Sequence, residues 1–145
     1  MDLSQLDTKK AADEGAFLQL RHPVTNELLV DKDDDNKPIG LTLLGSDSEA
    51  YRSSSLFRSN RRLKEAMKKG DKANLSVESI DNDKLDCLAA CTIKFHQIAV
   101  DGKQRQCSAD EAKKLYTRFT WIREQAEQFI DDRGNYLGNS SQSSS

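Results

Sequence analysis

Three cysteines and two histidines are the side chains of this 145-residue chain that could supply thiolate or imidazole chemistry. Cys87 and Cys91 are four residues apart, so a helix would carry both on one face. His96 follows Cys87 by nine residues, about half a turn away around such a helix. Cys107 would have to arrive from the next loop. Zinc needs about four converging ligands, and this spacing does not bring them together. Buried thiols acting as small apolar groups are the simpler expectation. A cysteine nucleophile needs a paired base, and neither His22 nor His96 sits in a motif that would provide one. With no nucleophile–base pair, metal set or phosphate loop in view, no enzyme is expected, and no catalytic, cofactor or metal residue is assigned.

The acidic run Asp31-Lys32-Asp33-Asp34-Asp35-Asn36 raises the question of calcium. An EF-hand loop needs oxygen ligands at positions 1, 3, 5 and 12 and glycine at 6. Asp31, Asp33 and Asp35 fill the first three. Asn36 then stands at the glycine and Thr42 at the bidentate glutamate. The flanks read as strands, so a solvated loop is expected.

The strongest charge cluster is basic. Over residues 46–69 Leu56, Leu63 and Met67 mark an apolar helix stripe, widened by Phe57 and Ala66. Arg58, Arg61, Arg62, Lys68 and Lys69 gather opposite it, and Arg52 and Lys64 add charge. Such a face can bind phosphate or an acidic protein surface, or simply be solvated. Nucleic-acid binders usually add interleaved aromatics or a known motif. Neither is present, and the formal net charge is −2.

The elements that must carry these groups follow from periodicity. Residues 1–15 are polar, a flexible lead-in or a frayed helix. Apolar runs at Phe17-Leu18-x-Leu20, Leu28-Leu29-Val30 and Ile39-x-Leu41-x-Leu43 predict two or three short strands over residues 16–45, with His22-Pro23 opening a turn between the first two. Ser46 with Glu49 fits a capping box for the basic helix, which Gly70 would stop. Residues 70–79 read as a linker. Leu85, Leu88, Ala89, Thr92 and Phe95 recur at helical spacing, and Ile80, Cys87, Cys91 and Ile98 form a neighbouring stripe. That predicts a central buried helix over residues 85–98. Asp101-Gly102 signals a tight turn. Ser108 and Glu111 form a second capping box, and the helix it opens should break near Thr120. Gly134-Asn135 offers a stop, Asp132 and Arg133 a structural pair, and the Ser-rich residues 138–145 a disordered tail. The fold class expected is α+β: a small N-terminal antiparallel β-sheet over residues 16–45, then a mostly α-helical bundle over residues 46–137, as one domain.

Composition sets the surroundings. Apolar residues make up 36% and charged residues 32%, so a small core with much solvated helix surface is expected. An odd cysteine count suits a reducing compartment. No N-terminal apolar h-region and no run of about 20 apolar residues is visible, so no secretion signal or membrane association is expected.

One resemblance spans residues 17–137. Leu115-Tyr116, Trp121-Ile122-Arg123-Glu124-Gln125, Phe129-Ile130, Asp132-Arg133 and Asn135-Tyr136-Leu137 resemble the C-terminal signature of tail assembly chaperones of long-tailed bacteriophages. Leu20 to Leu28, Gly45-Ser46-Asp47-Ser48 with Tyr51-Arg52, and Leu85-x-x-Leu88-Ala89-Ala90 resemble earlier parts of the same pattern. Shared order and spacing carry the likeness. The chain departs from it at Phe95-His96, where the family often has tryptophan. The resemblance implies a non-enzymatic holdase that binds the tape-measure protein, helps recruit tail-tube subunits, works in the host cytoplasm and is absent from the mature virion. Homo-oligomers are compatible with it. Trp121, Ile122, Phe129 and Ile130 are the candidate apolar contacts with a client, and Arg58, Arg61 and Arg62 the candidate charged rim. The competing readings are a structural virion protein, such as a tail-completion or head–tail connector subunit, and a nucleic-acid-binding regulator.

Overall fold

The computed structural model describes residues 2–69 and 77–137. Its central sheet grows from two runs of strand alternation. β1 (Ala16–Gln19) pairs antiparallel with a later strand over residues 40–43, with Ala16 opposite Leu43 and Gln19 opposite Gly40. Between them lie β2 (Val30–Asp31) and β3 (Lys37–Pro38), a two-stranded ribbon around the acidic loop. The partner of β1 is β4 (Gly40–Leu43), whose Leu41 and Leu43 are fully buried. The runs around His22-Pro23 touch through one bridge, Arg21 to Leu28, and β1 itself takes β4 as its partner.

Helix α1 (Thr8–Glu14), capped by Asp7, packs Ala12 against Gly45. A Cβ on Gly45 would lie 2.8 Å from that of Ala12, so the crossing requires glycine. Helix α2 (Glu49–Lys69) starts at Ser48 rather than Ser46: the Ser48 Oγ accepts from the Tyr51 N–H at 3.2 Å. The proposed stop at Gly70, the linker up to residue 76 and the Ser-rich tail lie outside the described residues.

The central element differs from expectation. Helix α3 (Val77–Cys91) ends at Cys91, and the chain turns directly into β5 (Thr92–His96). Thr92, Ile93 and Phe95 are β-branched or aromatic and suit a strand. The free side of β4 supplies the pairing, with Leu41 opposite Phe95 and Gly40 opposite His96. The switch is fixed by hydrogen bonds. Thr92 Oγ1 donates to the Leu88 carbonyl at 2.9 Å and accepts from the buried Tyr116 hydroxyl at 2.6 Å. The Leu44 N–H takes the Cys91 carbonyl at 2.8 Å, so an orphan helix-end carbonyl is satisfied. The sheet order is therefore β1-β4-β5, and strands are interspersed among helices rather than confined to the N-terminal third. The architecture is α+β.

β6 (Ala99–Val100) and β7 (Lys103–Gln104) form a small hairpin. Asp101 and Gly102 turn it with φ of 54° and 79°, the left-handed pair that a two-residue hairpin loop needs. Helix α4 (Ala109–Arg118) is capped by Ser108, whose Oγ accepts from the Glu111 N–H at 3.1 Å. It breaks at Phe119 into α5 (Thr120–Asp131). A last helical turn over residues 134–137 buries Tyr136. Arg133 pairs with Asp47 at 2.6 and 3.0 Å rather than with its neighbour Asp132. Leu20, Leu41, Leu43, Leu88, Ala112, Tyr116 and Ala126 are the most deeply buried members of one core between the sheet, α3, α4 and α5.

Candidate interaction face on helix α2

An amphipathic helix ordinarily buries its apolar stripe. In α2 the charged side faces the protein. Arg62 Nε lies 2.7 Å from Asp83 Oδ2, off the line of a directed N–H···O bond, so the contact is an ion pair. Arg61 reaches the other oxygen of Asp83 at 3.4 Å. Arg58 lies 3.5 Å from Asp86, which Lys113 of α4 also meets at 2.9 Å. Asp83 is 6% exposed. The geometry has a plain origin. Asp83 and Asp86 are three residues apart on α3, and Arg58 and Arg62 four apart on α2, so each pair lies on one helix face. The acidic surface suited to these arginines is thus within the chain: Arg58 and Arg62 are half-buried against α3, while Arg61 stays exposed and reaches Asp83 from the edge.

The consequence is on the other side. Leu56 and Leu63 of α2 are 63% and 61% exposed, Phe57 61% and Met67 79%. The Arg58 guanidinium lies 5.5 Å from the Phe57 ring, partly covering it. Leu56, Leu63 and Met67 share one line along the helix. A surface leucine alone means little, but a line of large apolar groups on one exposed helix is the mark of an interaction face.

The aromatic–aliphatic set of α5 divides. Ile122 and Ile130 are 5% and 4% exposed and belong to the core, where helical periodicity sends them. Phe129 is half-buried, its ring edge-to-face with Tyr136 at 5.7 Å. Trp121 is half-buried too. It lines an apolar groove of about 270 Å3 with Leu20, Leu29, Ile98 and Phe119. Trp121 and Phe129 are the accessible members of the four.

The groups with chemical potential are held structurally. Cys87 and Cys91 are buried and unbridged, and burial pushes the Cys91 thiol up to about 12. The Cys107 thiol donates to the Thr92 carbonyl at 3.3 Å. His96 Nε2 lies 2.6 Å from the Thr42 hydroxyl, with Phe17 edge-on at 4.8 Å. Burial, then the Lys94 charge, lowers its proton affinity. In the acidic loop Gln97 Nε2 donates to both Asp31 and Asp34 at 2.9 Å, which ties the ribbon to the end of β5. Among the described residues no three His, Cys, Asp or Glu side chains converge as a metal site. No described helix is long and apolar enough to cross a membrane.

No family model, curated protein or solved structure matches the chain.

The sequence shows the two faces of α2 but not which of them turns to the core. The missed signal is the Asp83/Asp86 pair, whose spacing matches that of Arg58 and Arg62.

Proposed function

We propose that this chain is a tail assembly chaperone of long-tailed bacteriophages. It is a non-enzymatic binding protein that holds the helical tape-measure protein in solution and brings tail-tube subunits to it. The ordered resemblance over residues 17–137 supports the family. The observation that carries the activity is the exposed line Leu56, Leu63 and Met67 on α2. Helical clients are recognised through apolar anchors at i, i+3/i+4 and i+7 laid on a complementary apolar surface. A client helix lying along α2 would cover these groups, and Arg52 and Lys64 beside them would meet its acidic flank. Trp121 and the groove next to it offer a second, smaller contact. The protein acts in the host cytoplasm and leaves before the virion is complete.

Peptide mass spectrometry on infected-cell lysate and purified particles, side by side, tests this reading. Abundant peptides in the lysate and none in the particles are expected. A reproducible copy number in particles would overturn it in favour of a structural tail or connector subunit.

A further inference from the structure

The outward line of α2 has a spacing that says more than "apolar". Leu56, Asn60, Leu63 and Met67 follow one another by four, three and four residues, and Ser53 extends the series backward. That alternation is the seam of a two-stranded coiled coil. Ser53, Asn60 and Met67 take the a positions; Leu56 and Leu63 take the d positions. All five are exposed in the single chain.

We infer that a second copy of this chain covers the stripe, its α2 parallel to and in register with the first, about a two-fold axis passing between the two Asn60 side chains. Asn60 is what selects the occupant. The a positions carry Ser53, Asn60 and Met67 rather than β-branched residues, so strand number rests on leucine at d and on Asn60, since a single asparagine at a fixes register and strand number at some cost in stability. An identical helix sets amide against amide, so donors meet acceptors. Any other helix laid on the same line satisfies the Asn60 amide only where it brings a polar side chain of its own to that level. An antiparallel pair stacks a against d and sets that amide against leucine.

The flanks agree. Arg52 and Ser59 take the g positions, Phe57 and Lys64 the e positions. In a parallel register Arg52 of one copy meets Phe57 of the other, and Ser59 meets Lys64. No like charges are opposed, and a guanidinium over an aromatic ring is attractive. Glu49, the next d position, is occupied with Lys9 at 3.5 Å and the Ser53 hydroxyl at 3.1 Å, and there the seam ends. A seam over residues 53–67 is only about 21 Å long. An interface of that size belongs to the weak, reversible class. It uses the face that the chaperone reading gives to the client, without resting on that reading. Self-association would then shield the stripe until a client displaces the second copy.

The test uses the purified full chain with no client present. Sedimentation equilibrium is expected to show a reversible monomer–dimer equilibrium that Leu63→Asp weakens at least tenfold. Under mild oxidation Asn60→Cys and Met67→Cys are each expected to form a disulfide-linked dimer faster than Lys68→Cys, an exposed position off the seam. A monomer at the highest concentration reached, or a dimer that Leu63→Asp leaves intact, would overturn the inference. So would cross-linking at 60 without cross-linking at 67, which an antiparallel pair would give. Unchanged thermal melting of the variants is the control for folding. A negative result leaves client binding open, because that is read separately by co-expression.

Discussion

Helices α2 and α5 are both amphipathic and face opposite ways. α5 puts Ile122, Ala126 and Ile130 into the core and Glu124 and Gln128 toward solvent. α2 puts Arg58 and Arg62 against α3 and Leu56, Leu63 and Met67 toward solvent. For α5, burying apolar surface supplies the stabilisation, roughly 25 cal/mol per Å2. For α2 it is Tyr51 against the core near the start and, further along, a set of part-buried ion pairs, a weaker device in which desolvation offsets much of the attraction. The apolar line of α2 stays in water and adds no burial to the fold, as the proposed binding role requires.

That contrast can be broken by substitution. Leu115→Ala in α4, 5% exposed beside α5, should cost about 3 kcal/mol in urea unfolding through lost burial and the cavity left behind. Leu63→Ala, the same chemical change on α2, should stay within about 0.5 kcal/mol at concentrations where the chain is monomeric. Equal losses would mean that the α2 stripe is packed. Asp83→Ala comes next. It strips the buried carboxylate from Arg61 and Arg62, and should cost about 2 kcal/mol and speed amide hydrogen exchange in α2 before α5. Uniform acceleration across both helices would show that α2 is not separately held.

Tyr116→Phe is a smaller change within the core. It removes the hydroxyl that donates to Thr92 where α3 becomes β5, at an expected cost of about 1 kcal/mol in the same unfolding assay. The smallest effect concerns His96. Its folded-state proton affinity is lowered from the ordinary value of 6.5, chiefly by burial. The unfolded chain therefore binds the proton more readily, and stability falls as pH drops from about 6.5 through the lower folded value. Above that window the contribution is complete, since neutral Nε2 can accept from the Thr42 hydroxyl. Relative to His96→Gln, the wild type should lose stability across this acid window only; parallel pH profiles would remove the effect.

Much of the fold was legible where several signals agreed. Ser108 with Glu111 marked the start of α4 and Asp101-Gly102 the β6–β7 turn. Residues 85–98 misled because their apolar residues satisfy helical spacing throughout, while the strand pairing that claims Thr92 to His96 comes from β4, about 50 residues earlier. Local pattern carries no record of that vacancy. The orientation of α2 was hidden for a similar reason. Its own sequence gives two faces, and among the described residues Asp83 and Asp86 on another helix help to decide which is buried. Trp121 and Phe129 were legible as apolar residues, but their partial exposure was not, since it depends on the break at Phe119 and the final turn that brings Tyr136 across.

The account stands on the outward face of α2, and the most direct measurement is client solubility. Under the proposed chaperone function the client would be a tape-measure protein encoded beside this chain; it would be co-expressed with the wild-type chain, with Leu56→Asp/Leu63→Asp, and with Trp121→Ala, and the soluble fraction compared. The double variant should lose most of the soluble client while melting at the wild-type temperature, and Trp121→Ala should lose less. A client kept fully soluble by the double variant would contradict the assignment of α2 as the working face.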